Sequence, residues 1–283
     1  MNIGAIQKEL LTALLTIYAE GEAAIICNWI MEHHTAKTNV ERRMNAGLLL
    51  PASTILAIHT ATAALLQHKP VQYVLGETSF MDLKFYVDEN VLIPRPETEE
   101  LLAYLVENCQ LPVNHNYKVL DIGTGSGCIP ICIKKRMPFA EITSLDISHG
   151  ALQVAIKNAA THGVEVQFVH QNFLDESKWQ TLASFDIIIS NPPYIPLSEK
   201  AKLDKHVTAW EPGTALFVAD NEALIFYKKI AAFGQKKLSC GGRIFVEMHQ
   251  DYALATKKMF EENGYETELK KDINGNDRML MAW

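Results

Sequence analysis

The chain has no surplus of positive charge: 26 Lys and Arg stand against 33 Asp and Glu, a formal charge of −7 over 283 residues. A protein that grips a long nucleic-acid duplex usually carries a basic face. Bulk composition offers none, so stable DNA binding is not expected. Cysteine is sparse as well. The five thiols are odd in number and include no CxxC pair, which argues against a disulfide framework or a zinc knuckle. Cys128 and Cys132 lie four residues apart, on one face of a helix, with no neighbouring His or carboxylate to complete a ligand set. They are expected to be small core residues, and no metal is expected. Free thiols fit a reducing compartment. No apolar run reaches the roughly 18 residues that suggest a membrane-spanning helix. MNIGAIQKELL has no basic stretch ahead of an apolar core, and Glu9 interrupts it, so no signal peptide is expected. These absences predict a cytoplasmic protein outside the membrane, with a monomer as the default.

What is present has a clear texture. Apolar residues make up 48% of the chain, the usual share for a globular protein, and the length allows one large domain or two smaller ones. Residues 1 to 70 read as helices. Ile6, Leu10, Leu11, Leu14, Leu15 and Tyr18 recur at helical spacing, and Ile25, Ile26, Trp29 and Ile30 repeat the pattern. A third helix is predicted to start near Pro51, with Pro70 marking its end. Residues 71–94 alternate apolar and polar positions around a Gly76-Glu77 turn and an Asp88-Glu89-Asn90 turn, as a hairpin linker would.

From residue 95 a helix leads into alternating strands and helices. Strands are predicted at 118–123, 141–148, 164–171, 185–190, 242–248, 265–272 and 278–283, with helices between most of them. This is the pattern of a Rossmann-like, doubly wound α/β sheet. The last two runs leave no room for a helix. A turn at Asn274-Gly275-Asn276 would join them as an antiparallel terminal strand pair.

VLDIGTGSGCIP carries the first chemical constellation. Gly123-Thr124-Gly125-Ser126-Gly127 follows a strand and opens an apolar helix. Glycines let the backbone turn tightly and approach a ligand, and a helix N-terminus favours polar or anionic groups. A dinucleotide-type GxGxxG would need glycine where Cys128 stands. Asp121, at the strand's end, would repel a pyrophosphate but can accept from an ammonium group. Asp146 ends the next strand, the usual place for a carboxylate that accepts ribose hydroxyls. Its other use is as a helix N-cap, a position that Ser148 suits better, which leaves the carboxylate free. Asn172 and Phe173 end the third strand, where a ring can flank adenine and an amide can meet its edge. Together with the antiparallel terminal pair, these residues favour S-adenosyl-L-methionine as cofactor.

FDIIIS leads into the second constellation, Asn191-Pro192-Pro193-Tyr194, at the sheet edge that borders the ligand crevice. The nitrogen of a planar amide or arylamine is a poor nucleophile because its lone pair is delocalised. Acceptors that take both of its hydrogens make it more nucleophilic, and the side-chain carbonyl of Asn191 and backbone carbonyl of Pro192 suit that task. Pro192 and Pro193 would hold these carbonyls rigidly, and Tyr194 would wall the planar group in line with the methyl donor. The same turn serves a glutamine amide or an adenine amine.

VQYVLG (71–76), LIPRPETEELL (92–102), LDIGTGSGCI, SNPPYI, EPGTALF (211–217) and GGRIFVE (241–247) together resemble the HemK/PrmC family of protein-(glutamine-N5) methyltransferases over nearly the full length. The resemblance implies a class I methyltransferase sheet with a small N-terminal helical domain for substrate recognition. The expected division is therefore 1–70 helical domain, 71–94 hairpin linker and 95–283 methyltransferase domain. It also implies methyl transfer to the Gln of the Gly-Gly-Gln tripeptide in peptide chain release factors. By the same resemblance, the Gly-rich loop and Asp146 bind the cofactor, Asn191 to Tyr194 hold the glutamine amide, and Arg95, Pro96 and Glu97 border the site. Helix initiation is the other account of that last segment, with Pro96 in the first turn, Glu97 and Glu99 near the positive dipole end, and Thr98 exposed. Glu211-Pro212 would cover the peptide substrate, and Asp272-x-x-Gly275-x-x-Arg278 would shape a turn.

Two rivals share the chemistry. An adenine N6-methyltransferase would place a flipped base where the amide sits, but such enzymes on DNA generally need a basic target-reading region. Methylation of a glutamine in a ribosomal protein fits the same motifs, and only the full-length pattern tilts toward release factors.

Overall fold

The computed structural model describes residues 1–109 and 116–283. The chain divides into two compact units, one of residues 1–77 with 204–210, the other of 78–203 with 211–283. The first is helical: α1 (Ile3–Leu14), α2 (Glu20–Thr35), α3 (Asn39–Met44), α4 (Ala52–Leu65) and α5 (Val71–Leu75). Asn2 starts α1 by accepting from the Ala5 N–H at 2.8 Å, and Thr38 with Glu41 forms a capping box on α3. Ile3, Ile6, Leu10 and Leu14 make the buried stripe of α1. In α2 the buried face is Ala23, Ile26, Cys27, Ile30 and Met31, while Ile25 and Trp29 face solvent. Adjacent helical residues diverge by about 100°, so one member of each apolar pair turns away from the core. Residues 71–75, expected within a hairpin linker, are the helix α5 instead, closed by Gly76 at φ 67°. A later helical turn, Lys205–Trp210, belongs to this unit, and Trp210 Nε1 donates to the Gln67 carbonyl at 3.3 Å.

The second unit begins with a hairpin of β1 (Glu77–Phe80) and β2 (Leu83–Tyr86). Both residues of its Met81-Asp82 turn have positive φ, 48° and 61°, as a type I′ turn requires. The Met81 N–H donates at 2.7 Å to Glu99 on α6 (Pro96–Asn108). There follow β3 (Lys118–Ile122), α7 (Cys128–Arg136), β4 (Glu141–Asp146), α8 (His149–His162), β5 (Gln167–His170), β6 (Phe185–Ser190) and β7 (Ile195–Pro196). After α9, the Lys205–Trp210 turn, come α10 (Gly213–Leu216), β8 (Phe217–Val218), α11 (Ile225–Lys237), β9 (Leu238–Glu247), α12 (Ala253–Glu262), β10 (Thr267–Lys271) and β11 (Asp277–Ala282).

Seven of these strands form one sheet in the order β10-β11-β9-β6-β3-β4-β5. All pairings from β9 to β5 are parallel, and β11 is antiparallel to both neighbours. The expected Rossmann-like sheet and its antiparallel terminal pair are both present. The third predicted strand is shorter than expected, Gln167–His170, and β9 starts four residues early at Leu238.

Alternation along β3 sorts the two faces. Val119 packs with Leu101, Leu105, Ile131 and Phe245 under α6 and α7, where Cys128 and Cys132 are the small buried residues expected. Leu120 and Ile122 pack on the other face with Tyr227, Ile230, Phe233 and Phe260 from α11 and α12. Burying each such large side chain is worth roughly 1.5–3 kcal/mol. The layered sheet is therefore a rigid base for the loops at its carboxyl edge.

Candidate functional site

Loops after β3, β4, β5 and β6 enclose a cavity of about 360 Å³, within the roughly 300–1,000 Å³ usual for small-molecule sites. Larger hollows of about 780 and 590 Å³ open at the amino ends of the strands, beside Lys118 and Glu141 and beside Asp186 and Gly242. Open α/β sheets place ligands at the carboxyl edge, so position outweighs size. The parallel pairing of β7 with β8 draws Phe217 alongside Ile195. Pro212, Phe217, Val218 and Phe226 then supply an apolar wall opposite the glycine loop.

Gly123 and Gly125 line this cavity, with φ of 82° and 53°. A Cβ on Gly125 would meet nothing within 4 Å, so the residue keeps space open there. Gly127 serves packing instead. A Cβ on it would come within 3.1 Å of the Ala155 Cβ, which sets how closely α7 approaches α8. Thr124 and Ser126 are buried and, like Gly127, do not line the cavity. Asn158 on α8 pins the loop to the hairpin. Its Nδ2 donates to the Ser126 and Tyr86 carbonyls at 2.9 Å each, and its Oδ1 accepts from the Tyr86 N–H at 2.8 Å.

Asp146 lines the cavity, but its carboxylate is not free. Oδ2 accepts from the Gly125 N–H at 2.9 Å and Oδ1 from the Ser148 N–H at 2.8 Å, while the Ser148 hydroxyl caps α8 as expected. Each oxygen retains a second lone pair for a ligand. Burial raises this carboxyl above its ordinary range, against the two backbone donors that favour the charge. Asp121 departs further from expectation. Alternation on β3 turns it to the face of Val119, where it is fully buried and outside the cavity lining. The Ser144 hydroxyl donates to its Oδ2 at 2.5 Å, and Oδ1 has no hydrogen-bond partner among the described residues. Burial pushes this carboxyl up to about 7.

Asn172 lines the cavity with its Oδ1 turned to the Leu174 N–H at 3.0 Å. Phe173 also borders it, yet only 4% of the residue is exposed. Its ring stacks on Trp179 at 5.5 Å and meets Phe233 edge-on at 5.5 Å, so its faces belong to the core more than to a ligand.

Asn191, Pro192 and Pro193 line the cavity directly after β6. Asn191 Nδ2 donates to Thr98 Oγ1 at 2.9 Å, and Thr98 donates to Glu247 Oε2 at 2.7 Å. Tyr194 donates its hydroxyl to Glu247 Oε1 at 3.1 Å, and Tyr227 donates to the Glu247 backbone carbonyl at 3.1 Å. Thr98, expected to be exposed, is 3% exposed, because the first turn of α6 lies against the end of β9. Burial pushes the Glu247 carboxyl up to about 7, helped by the charge of Glu97 and opposed by the Thr98 and Tyr194 hydroxyls and by Arg278. The Tyr194 phenol is held far above its usual range by burial and the same carboxylate. Neither Tyr194 nor Arg95 lines the cavity. The Arg95 guanidinium instead binds Glu211 at 2.5 Å, and the other Glu211 oxygen accepts from the Ile93 N–H at 3.3 Å.

A family model for the methyltransferase small domain matches residues 100–209, and one for the PrmC N-terminal domain matches residues 10–76. The release factor glutamine methyltransferase of Flavobacterium psychrophilum is 40% identical over 282 residues, covering 99% of this chain and 98% of that protein. The chain belongs to the release factor glutamine methyltransferase family. The corresponding protein of Chlorobaculum tepidum is 34% identical over 281 residues, covering 96% of this chain and 95% of its own. A solved methyltransferase from Pyrococcus furiosus shares the fold, with a TM-score of 0.53 at 15% identity over 79% of this chain and 97% of that one. The protein is thus a methyltransferase enzyme on a class I sheet.

Three residues of this methyltransferase carry site geometry without having been singled out from the sequence: Thr98, Asn158 and Glu247. Glu247 gave one cue, a carboxylate ending the otherwise apolar IFVE strand. Thr98 and Asn158 gave none, since each lies in an ordinary helical pattern and is defined by contacts far along the chain.

Proposed function

We propose that this enzyme transfers a methyl group from S-adenosyl-L-methionine to the side-chain amide nitrogen (N5) of the glutamine in the Gly-Gly-Gln motif of peptide chain release factors. The observation that carries this reading is the orientation of Asn191. Its Nδ2 donates one hydrogen bond to Thr98, and among the described residues no hydrogen bond is made to its Oδ1. That oxygen and the Pro192 carbonyl are two acceptors at a cavity wall, suited to a group with two N–H hydrogens. Relatives named as release factor glutamine methyltransferases, matched over nearly their full length, support glutamine over adenine.

The cavity suits the cofactor on its own evidence. One wall is polar backbone and carboxylate, at Gly123, Gly125 and Asp146, and the opposite wall is apolar. The bare Gly125 position leaves room that any side chain would fill. Gly123, Gly125, Asp146 and Asn172 would hold the cofactor, which when bound supplies an electrophilic methyl group on a sulfonium.

Asn191 and Pro192 would draw on both hydrogens of the glutamine amide and make its lone pair more available, and Pro192 and Pro193 keep those carbonyls from swinging. Tyr194, fixed through its hydroxyl to Glu247, would wall the amide at the rim of the cavity, with Arg95 beyond it. The proton leaves to water after transfer, so no strong base is needed. Most of the acceleration comes from alignment and preorganised acceptors. We assign release-factor recognition to the helical unit, whose Val40, Met44 and Leu49 side chains are exposed.

The test is mass spectrometry of a release factor incubated with the enzyme and S-adenosyl-L-methionine. One methyl on the Gly-Gly-Gln peptide is expected, with the rate reduced about 100-fold or more in Asn191→Ala. An unmodified Gly-Gly-Gln peptide alongside methylation of another glutamine or a base would overturn the assignment.

A further inference from the structure

We infer that Thr98 and Glu247 are positioning residues that decide which end of the Asn191 amide faces the substrate. The inference rests on the acceptor role proposed for Asn191. The two ends of an asparagine amide are nearly equal in shape and opposite in hydrogen-bonding sense. Turned the wrong way, Asn191 would point N–H at the N–H of a substrate amide and block the site it should complete.

The direction of three hydrogen bonds prevents that turn. An ionised Glu247 is an acceptor only, and both of its oxygens are occupied, Oε2 by the Thr98 hydroxyl and Oε1 by the Tyr194 hydroxyl. Thr98 has one hydrogen, and the carboxylate takes it. What Thr98 shows to Asn191 is therefore a lone pair, which only the NH₂ end of the amide can satisfy, as the 2.9 Å contact shows. The carboxylate thus sets the sense of the chain of bonds, and the same carboxylate holds Tyr194. Neither Thr98 nor Glu247 lines the cavity, so both act through Asn191 and Tyr194.

Protonation of Glu247 would undo this. Its added hydrogen can go to Thr98, which then offers its own hydrogen to Asn191, and the amide is free to turn. The groups facing Glu247 are Thr98 and Glu97 on α6, Tyr194 after β6, Tyr227 on α11 and Arg278 on β11. Arg278 favours the ionised form and Glu97 opposes it, while burial places the carboxyl at about 7. Turnover should then fall as pH drops through neutrality.

Steady-state methylation of full-length release factor across about pH 6 to 9, with calorimetry for S-adenosyl-L-methionine, tests the idea. Thr98→Val is expected to lower kcat about 3- to 10-fold, the net worth of one hydrogen bond, while cofactor affinity holds within about twofold. Thr98→Ser, which keeps the hydroxyl, should restore the wild-type rate. Glu247→Gln cannot titrate, so its kcat should lose the acid limb near neutrality. Wild-type kcat in Thr98→Val, or an acid limb retained in Glu247→Gln, overturns the inference. If Thr98→Val does not fold, Thr98→Ser and the Glu247→Gln profile still decide. Full activity in Asn191→Ala would instead overturn the acceptor role beneath it.

Discussion

Asp146 ties the glycine loop to α8 and is proposed to hold the cofactor as well, and Asp146→Asn separates the two roles. In the native protein each carboxylate oxygen accepts one backbone N–H, from Gly125 at 2.9 Å and from Ser148 at 2.8 Å. Asparagine offers one oxygen and turns an NH₂ group toward the other donor. Leaving one partly buried N–H without its acceptor costs about 1–3 kcal/mol. For a domain of this size that lowers Tm by about 2–12 °C. If the carboxylate also accepts a ribose hydroxyl, the cofactor loses a charge-assisted hydrogen bond of about 1.5–3 kcal/mol as well. The dissociation constant then rises about 10- to 150-fold. Calorimetric titration with S-adenosyl-L-methionine, at a temperature where both proteins are folded, reads the second effect, and a thermal melt reads the first. A lowered Tm with unchanged affinity would refute the ribose role and leave Asp146 as the tie between the glycine loop and α8.

Substitutions at two further positions, Phe173 and Asp121, test their expected roles at the site. Phe173→Ala should cost about 3–5 kcal/mol, because the ring fills a cluster with Trp179 and Phe233. Phe173→Leu keeps apolar bulk and should hold cofactor affinity within about threefold by calorimetry, whereas loss of adenine stacking, about 1–3 kcal/mol, would weaken it more. Asp121 and Glu247 both have folded-state carboxyls at about 7, above their unfolded values near 4. Their contribution to stability is thus fully present below about pH 4 and is lost as pH rises through 7. Thermal melts should show that decline, and Asp121→Asn should make it shallower; an unchanged slope would place the Asp121 carboxyl elsewhere.

Pattern located the backbone of the site well. The sheet, its antiparallel pair and the loops after β3, β4 and β6 follow from apolar runs and glycine or proline breaks, which report on local geometry. Side-chain direction was harder to read. Asp121 and Ile122 are neighbours at the end of one strand, and only alternation against the partner strands tells that Ile122 borders the cavity while Asp121 faces Ser144. Phe173 carries the right chemistry in the right loop, but Trp179, six residues on, takes one face of its ring. Thr98 lies between two glutamates at a helix start and looks solvated. Its burial depends on Glu247, 149 residues later.

Thr98, Glu247 and Asp121 share a place, the buried polar layer around β6. In the sheet order, β6 lies between β9 and β3, so Glu247 and Asp121 flank the strand that presents Asn191. Two buried carboxyls with raised affinity for protons weaken the fold at neutral pH, and a leucine or methionine of similar volume would pack there at lower cost. Such groups persist where they organise chemistry. Glu247 orients an amide and a phenol through hydroxyls on two different elements, which no apolar residue can do. Asp121 keeps one oxygen unpartnered beneath the glycine loop, a buried acceptor close to the wall where the charged end of a cofactor would lie. If that oxygen serves the cofactor's ammonium electrostatically, Asp121→Asn should weaken S-adenosyl-L-methionine and S-adenosylhomocysteine alike, since both carry that ammonium, while adenosine, which lacks it, keeps its affinity. Titrating adenosine beside these two ligands separates a charge effect from a change in loop shape. Equal weakening of all three would assign Asp121 to the loop alone.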